Sequence, residues 1–213
     1  MDHDLGLAGF ADRDLDRILG HLKTPVDPDG APDLPTGKPR SRPGRVYELG
    51  DHQLLCGDAT DRTGLARLLG DVRPIVLWTD PPYGVEYVGK TKDRLRIAND
   101  DRSAGELLER ALTAAVPLLA ENAPFYLYAP GGSQGSGFRA VLGESGMRLH
   151  QSLVWVKNSP VLGRCDHQLQ HEEILYGWAP GTGHPGRGRR ASARWQGPNN
   201  VSSVFFIDRW KWK

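Results

Sequence analysis

The run Pro74-Ile75-Val76-Leu77-Trp78, followed at once by Thr79-Asp80-Pro81-Pro82-Tyr83, limits what this chain can fold into more than any other stretch. A short apolar run closed by turn-forming residues reads as a buried strand. Two successive prolines fix φ and carry no backbone N–H, so the strand ends where they begin. The chain then leaves the strand in a stiff turn that carries a carboxylate and an aromatic ring at the strand's carboxyl end. Asp-Pro-Pro also marks turns with no further duty, and that reading stands beside the chemical one.

The chemical reading concerns amino groups on nucleobases. Such a nitrogen is a poor nucleophile because its lone pair is delocalised into the ring. Two acceptors on its two hydrogens draw it towards tetrahedral geometry and localise the pair. The Asp80 carboxylate and the Pro81 carbonyl suit that task, and proline's fixed φ leaves little reorganisation for the moment of reaction. Tyr83 would stack on the base, which must first leave the duplex.

From Arg45 onward the pattern alternates as an α/β domain should. Strands are expected at 53–56, 75–78, 125–128, 149–156, 174–178 and 204–207, and helices at 63–69, 103–116 and 137–144. In the best helix Ser103 and Glu106 have capping-box spacing, while Leu107, Leu108, Ala111, Leu112, Ala115 and Val116 trace one apolar face. The chemistry then falls at the carboxyl ends of strands, where open α/β sheets hold their ligands. Ahead of this domain (45–213) lie a helical segment (1–23) and a linker (24–44). In the first, Leu15, Ile18, Leu19 and Leu22 share a face from a cap at Asp12. The linker carries Pro25, Pro28, Pro32, Pro35, Pro39 and Pro43 with little apolar content.

Asp80-Pro81-Pro82-Tyr83 resembles the catalytic motif of S-adenosylmethionine-dependent DNA amino-methyltransferases. The aspartate form is similar to the adenine-N6 enzymes; the cytosine-N4 enzymes more often carry serine there. Leu54-Leu55-Cys56-Gly57-Asp58-Ala59 resembles the segment preceding that motif, which implies that Asp58 and Ala59, with Asp80, border the cofactor. Trp155-Val156-Lys157-Asn158 and the run from His171 to Trp178 extend the likeness over most of 46–208. It implies an incomplete Rossmann-like methyltransferase sheet with helices on both faces, S-adenosylmethionine as methyl donor and double-stranded DNA as substrate. Asp58 follows its strand one α/β unit before Asp80, although Gly-Asp is also a common turn.

The permuted order of the family, catalytic half first, is the nearest match. That group continues into a His-Pro-x-x-Lys-Pro segment and a Phe-x-Gly-x-Gly turn for the methionine end of the cofactor, and this sequence contains neither. The expectation is a truncated chain, or one completed by a second chain that supplies the methionine-binding half. A silent DNA-binding remnant and a cytosine-N4 enzyme are the alternatives.

Net charge is +1 over 213 residues, so contact with nucleic acid must come from local patches. Lys90 and Lys92 follow the catalytic turn, where a loop would cover a target base. Arg187, Arg189, Arg190 and Arg194 lie without an acid beside Trp195, a composition suited to phosphates and an unpaired base, or to a solvated loop. Lys157 and Asn158 end a strand on the same edge. A structural hydrogen bond is the expected role of His171 and of Glu172.

Three decoys weigh little. Gly135-Ser136-Gly137-Phe138-Arg139-Ala140 fits a loose dinucleotide fingerprint, yet no acidic residue follows at the required distance, and a flexible glycine turn explains it. Cys165, His167 and His171 lack a fourth zinc ligand, so no metal is expected. No phosphate-binding Gly-x4-Gly-Lys loop occurs. Cys56 and Cys165 read as reduced thiols, no membrane span is evident, and a cytoplasmic location is expected.

Overall fold

The computed structural model describes residues 37–88, 96–161, 166–182, 194–198 and 200–207. It divides into two units, one of Met1–Arg40 with Trp210–Lys213 and one of Ser41–Arg209. The expected helix at 12–23 and the linker up to residue 36 lie outside the described residues.

The second unit opens with a hairpin, β1 (Val46–Leu49) paired antiparallel with β2 (His52–Leu55), turning at Gly50 with φ +64°. These two strands form a sheet of their own. The expected strand at 53–56 is therefore real but belongs to the hairpin, and the α/β unit foreseen between Asp58 and Asp80 is not built. Helix α1 (Arg62–Leu69) follows. The Asp61 side chain accepts the Thr63 amide at 3.0 Å, and Gly70 closes the helix with φ +55°.

Five strands form the main sheet: β3 (Leu77–Thr79), β4 (Pro124–Ala129), β5 (Arg148–Val161), β6 (Leu169–Trp178) and β7 (Val204–Phe206). Their order is β3-β4-β6-β5-β7. Strands β3 and β4 run parallel, as do β5 and β7, while β6 is antiparallel to both its neighbours. Four carboxyl ends and the amino end of β6 thus gather on one edge. The fold is α/β, as the alternation requires.

Period-two patterning explains the layers. In β4 the residues Phe125, Leu127 and Ala129 are buried on one side, while Tyr126 and Tyr128 stand on the other. The first side packs with Leu108 and Leu112 of α2 (Ala104–Ala115) and with Phe138 and Leu142 of α3 (Gly132–Glu144). On the second side Leu153, Ile174, Tyr176 and Trp178 cluster with Tyr126, Tyr128, Trp155 and Phe205, all of them strand residues. Sheet packing is closest at Gly177, where a Cβ would sit 1.9 Å from the Arg148 carbonyl oxygen and 2.8 Å from the Phe125 ring. Only glycine allows β6 to pass there.

Two local expectations change. The capping box of α2 does not form, because the Ser103 hydroxyl donates to the Asp101 carboxylate at 2.5 Å and leaves the helix start uncapped by a side chain. The glycines of 135–140 lie inside α3 rather than in a turn. Helix α3 starts at Gly132, with φ +67°, and Gly135 tolerates a Pro130 carbonyl only 2.2 Å from where a Cβ would be.

Candidate functional site

The sequence-predicted motif stands at the carboxyl edge of the main sheet. Strand β3 lasts three residues, and its successor Asp80 is exposed beyond its tip, ahead of the half-buried Pro81 and Pro82. Tyr83 turns back towards the sheet. Its ring packs edge-on against Phe138, with centroids 6.4 Å apart at 81°, and joins the buried cluster beneath. Burial, then the charge of Asp80, then a hydrogen bond with Asp80 hold the Tyr83 phenol well above its ordinary range. The Tyr83 phenol thus stays protonated beside the exposed Asp80 carboxylate.

Residues at neighbouring strand ends complete the group. Tyr128 is the penultimate residue of β4, and burial, then Asp80 and Glu172, raise its phenol as well. Glu172 on β6 forms an ion pair with Lys157 on β5, and the register places Glu172 opposite Trp155. Glu173, one residue on, pairs with Arg139 of α3. Both pairs are partly buried and tie elements together at the edge where Asp80 stands. Their contribution is modest, on the order of 1 kcal/mol for pairs open to water.

The turn after Tyr83 is held from below by Asp100. This carboxylate is 4% exposed. It accepts the amides of Gly84 at 2.7 Å and Val85 at 3.3 Å on one oxygen, and that of Tyr87 at 2.7 Å on the other. Its own carbonyl accepts the Glu86 amide at 2.7 Å. Burial pushes the carboxyl upward, but the Tyr87, Gly84 and Val85 amides more than offset it and hold the group below the usual carboxylate range. Nothing in the sequence pattern points to Asp100, which stands well downstream of the motif in no periodic run. Tyr128 had a visible signal, an aromatic residue at a strand's carboxyl end.

Other expected site residues sit elsewhere. Asp58 and Ala59 are exposed in the turn after the hairpin. One Asp58 oxygen accepts both the amide and the hydroxyl of Thr60 at 2.8 Å, and these bonds, with Arg110 nearby, lower its pKa. The turn reading of Asp58 is thus built. Lys157 and Asn158 do not end their strand, since β5 runs on to Val161, and Lys157 is engaged with Glu172. Arg194 stands away from the Asp80 edge. Its guanidinium donates to the Glu121 carbonyl at 2.7 Å, before the start of β4, and Trp195 lies 6.3 Å from Tyr176. At about 3.3 Å per strand residue, that is some ~20 Å from the carboxyl edge. Lys90, Lys92, Arg187, Arg189 and Arg190 lie outside the described residues, as does Cys165.

A recess of about 320 Å³ lined by Ala66, Leu69, Gly70, Asp71, Val72, Arg73 and Leu118 includes neither Asp80 nor Tyr83. Among the described residues, no three of His, Cys, Asp or Glu are grouped to hold a metal, and no helix is long and apolar enough to cross a membrane.

No protein-family model and no curated protein matches this chain. Among solved structures it is similar to the M1.HpyAVI–SAM complex, at 17% identity and a TM-score of 0.40, over 58% of this chain and 53% of that one. M1.HpyAVI alone gives 18% identity and a TM-score of 0.40, over 58% and 54%. TTHA0409 from Thermus thermophilus, provisionally a DNA modification methylase, gives 18% and 0.38, over 59% and 51%. The chain spans about half the length of the structures it matches.

Proposed function

We propose that this chain carries the target-base half of a DNA methyltransferase acting on adenine N6, with S-adenosylmethionine as donor. The observation that carries the reading is the exposed Asp80 carboxylate at the tip of β3, ahead of two prolines and beside the protonated Tyr83 phenol. An exposed acceptor at a sheet edge, beside a protonated neighbour, suits an NH2 group. The Pro81 carbonyl is the second acceptor. Aspartate at this position favours adenine over cytosine as the base.

S-adenosylmethionine supplies an electrophilic methyl group when bound. Asp58 and Ala59 are the residues to hold its adenine end, and the exposed second oxygen of Asp58 suits that amino group. The chain's own residues act on the target. Asp80 and the Pro81 carbonyl accept its two amino hydrogens and localise the nitrogen lone pair. Tyr83 and Tyr128 present aromatic surface on either side of Asp80 for a base that has left its stack. After transfer the surplus proton passes to Asp80 or to water. Lys157 and the basic residues Lys90, Lys92, Arg187, Arg189 and Arg190 are proposed to hold DNA phosphates.

The test is transfer of labelled methyl from S-adenosylmethionine to duplex DNA by wild type and Asp80→Ala, with DNA binding measured in parallel. Loss of transfer with retained binding supports the reading. Equal transfer by the variant overturns it. Calorimetry with S-adenosylmethionine separates an active chain from a DNA-binding remnant.

A further inference from the structure

We propose that Asp100 is the positioning residue of this site: its buried carboxylate gathers the amides of the 84–87 turn and so holds Tyr83 against Asp80. The proposal rests on the functional reading above only for what Tyr83 and Asp80 then do.

Three observations carry it. Asp100 is one of two buried polar side chains among the described residues, Asn122 being the other. A buried carboxylate needs partners, and those of Asp100 are three amides of a single turn rather than a cation. The turn they close is not one the chain would adopt alone, because Gly84 has φ +75°, Glu86 has φ +51° and Asn99, next to Asp100, has φ +60°. Non-glycine residues in the left-handed region persist where surrounding structure holds them.

The connection to the site is covalent and short. Gly84 follows Tyr83 directly, and its amide is the donor at 2.7 Å. With that amide fixed, the Tyr83 ring stays against Phe138, three residues along the turn from Asp80. The Gln134 side chain, from α3, adds a weaker bond to the Gly84 carbonyl at 3.4 Å. Asp100 touches neither Asp80 nor a base in this scheme and acts through the turn.

The experiment uses the full chain and needs no methyl transfer. Amide hydrogen exchange of residues 84–87 is followed by NMR, with the ¹³Cζ resonance of Tyr83, assigned through Tyr83→Phe, as a readout at neutral pH. In wild type the amides of Gly84 and Tyr87 are expected to exchange at least tenfold more slowly than in an unstructured chain. In Asp100→Asn they are expected to exchange at least tenfold faster than in wild type, and the Tyr83 resonance moves, while the β4 amides and the Tyr176 resonance stay unchanged. Unprotected wild-type amides overturn the proposal, as does a loosened turn with an unmoved Tyr83 signal. If Asp100→Asn does not fold, the wild-type exchange pattern and the Tyr83 resonance of Asp100→Glu decide in the same way. Absence of methyl transfer by wild type counts against the functional reading and leaves these readouts intact.

Discussion

Gly84 offers the sharpest perturbation of the turn that follows Tyr83. Its φ of +75° lies in the left-handed region, and a Cβ there would stand 2.7 Å from the Asp101 carbonyl oxygen. That oxygen already accepts the Ala104 amide at 3.0 Å at the start of α2, so it cannot retreat freely. Gly84→Ala adds a left-handed cost of about 1 kcal/mol to a clash of about 1–3 kcal/mol, for a total of roughly 2–4 kcal/mol. Against a typical stability of about 5–15 kcal/mol this is a large fraction. In urea, with a slope near ~2 kcal/mol per M, the midpoint should fall by roughly 1–2 M. Gly105→Ala is the internal control of opposite sign. Gly105 lies in α2 with nothing within 4 Å of its would-be Cβ, so alanine should stabilise by about 0.5–1 kcal/mol. A Gly84→Ala midpoint within ~0.3 M of wild type would refute the left-handed turn and with it the geometry given for Tyr83.

Three further outcomes are expected. Phe125→Ala removes a fully buried ring over which β6 passes at Gly177, and unfolding should become easier by about 3–5 kcal/mol; a loss under ~1 kcal/mol contradicts the packing. Burial, with Tyr126 nearby, pushes the Tyr176 phenol from 10.0 up to about 12. A group raised in the fold stabilises fully below its unfolded value and loses that contribution as pH climbs through the folded one. Thermal stability should therefore decline between pH 10 and 12, and Tyr176→Phe should flatten that decline; an unchanged profile speaks against it. Glu172→Gln unpairs Lys157 and withdraws a charge facing Tyr83 and Tyr128. Stability should drop by about 1 kcal/mol or less while DNA affinity holds or rises, and a drop above ~3 kcal/mol would mean the pair is far more buried than described.

The parts of this fold that were readable in the sequence are those governed by local rules. Proline pairs end strands, so a strand end just ahead of Asp80 followed from residues 74–83, but the expected burial did not: β3 is a three-residue edge strand, Leu77–Thr79, and Ile75, Val76 and Trp78 are exposed. The 3.6-residue stripe of Leu108 and Leu112 placed α2, and the alternation of Phe125 and Leu127 with Tyr126 and Tyr128 placed β4. What was not readable depends on contacts between distant segments. Sequence order placed Asp58 one α/β unit before Asp80, whereas pairing of Val46 with Leu55 drew the strand before Asp58 into a separate hairpin. Arg194 looked like one of a basic group, yet the Glu121 carbonyl, 73 residues away, claims its guanidinium. Asp100 meets the turn 13 to 16 residues upstream through amides, which leave no side-chain signature. Capping at Ser103 failed because Asp101, two residues before it, offered its hydroxyl a stronger acceptor.

Nucleoside analysis of DNA from cells expressing the full locus, with and without Asp80→Ala, addresses the amino-group chemistry at Asp80 most directly. The account predicts N6-methyldeoxyadenosine in the wild-type sample and its fall by at least about 100-fold in the variant, the scale expected when a group aimed at the transition state is removed. An equal N6-methyladenine content in both samples would contradict it.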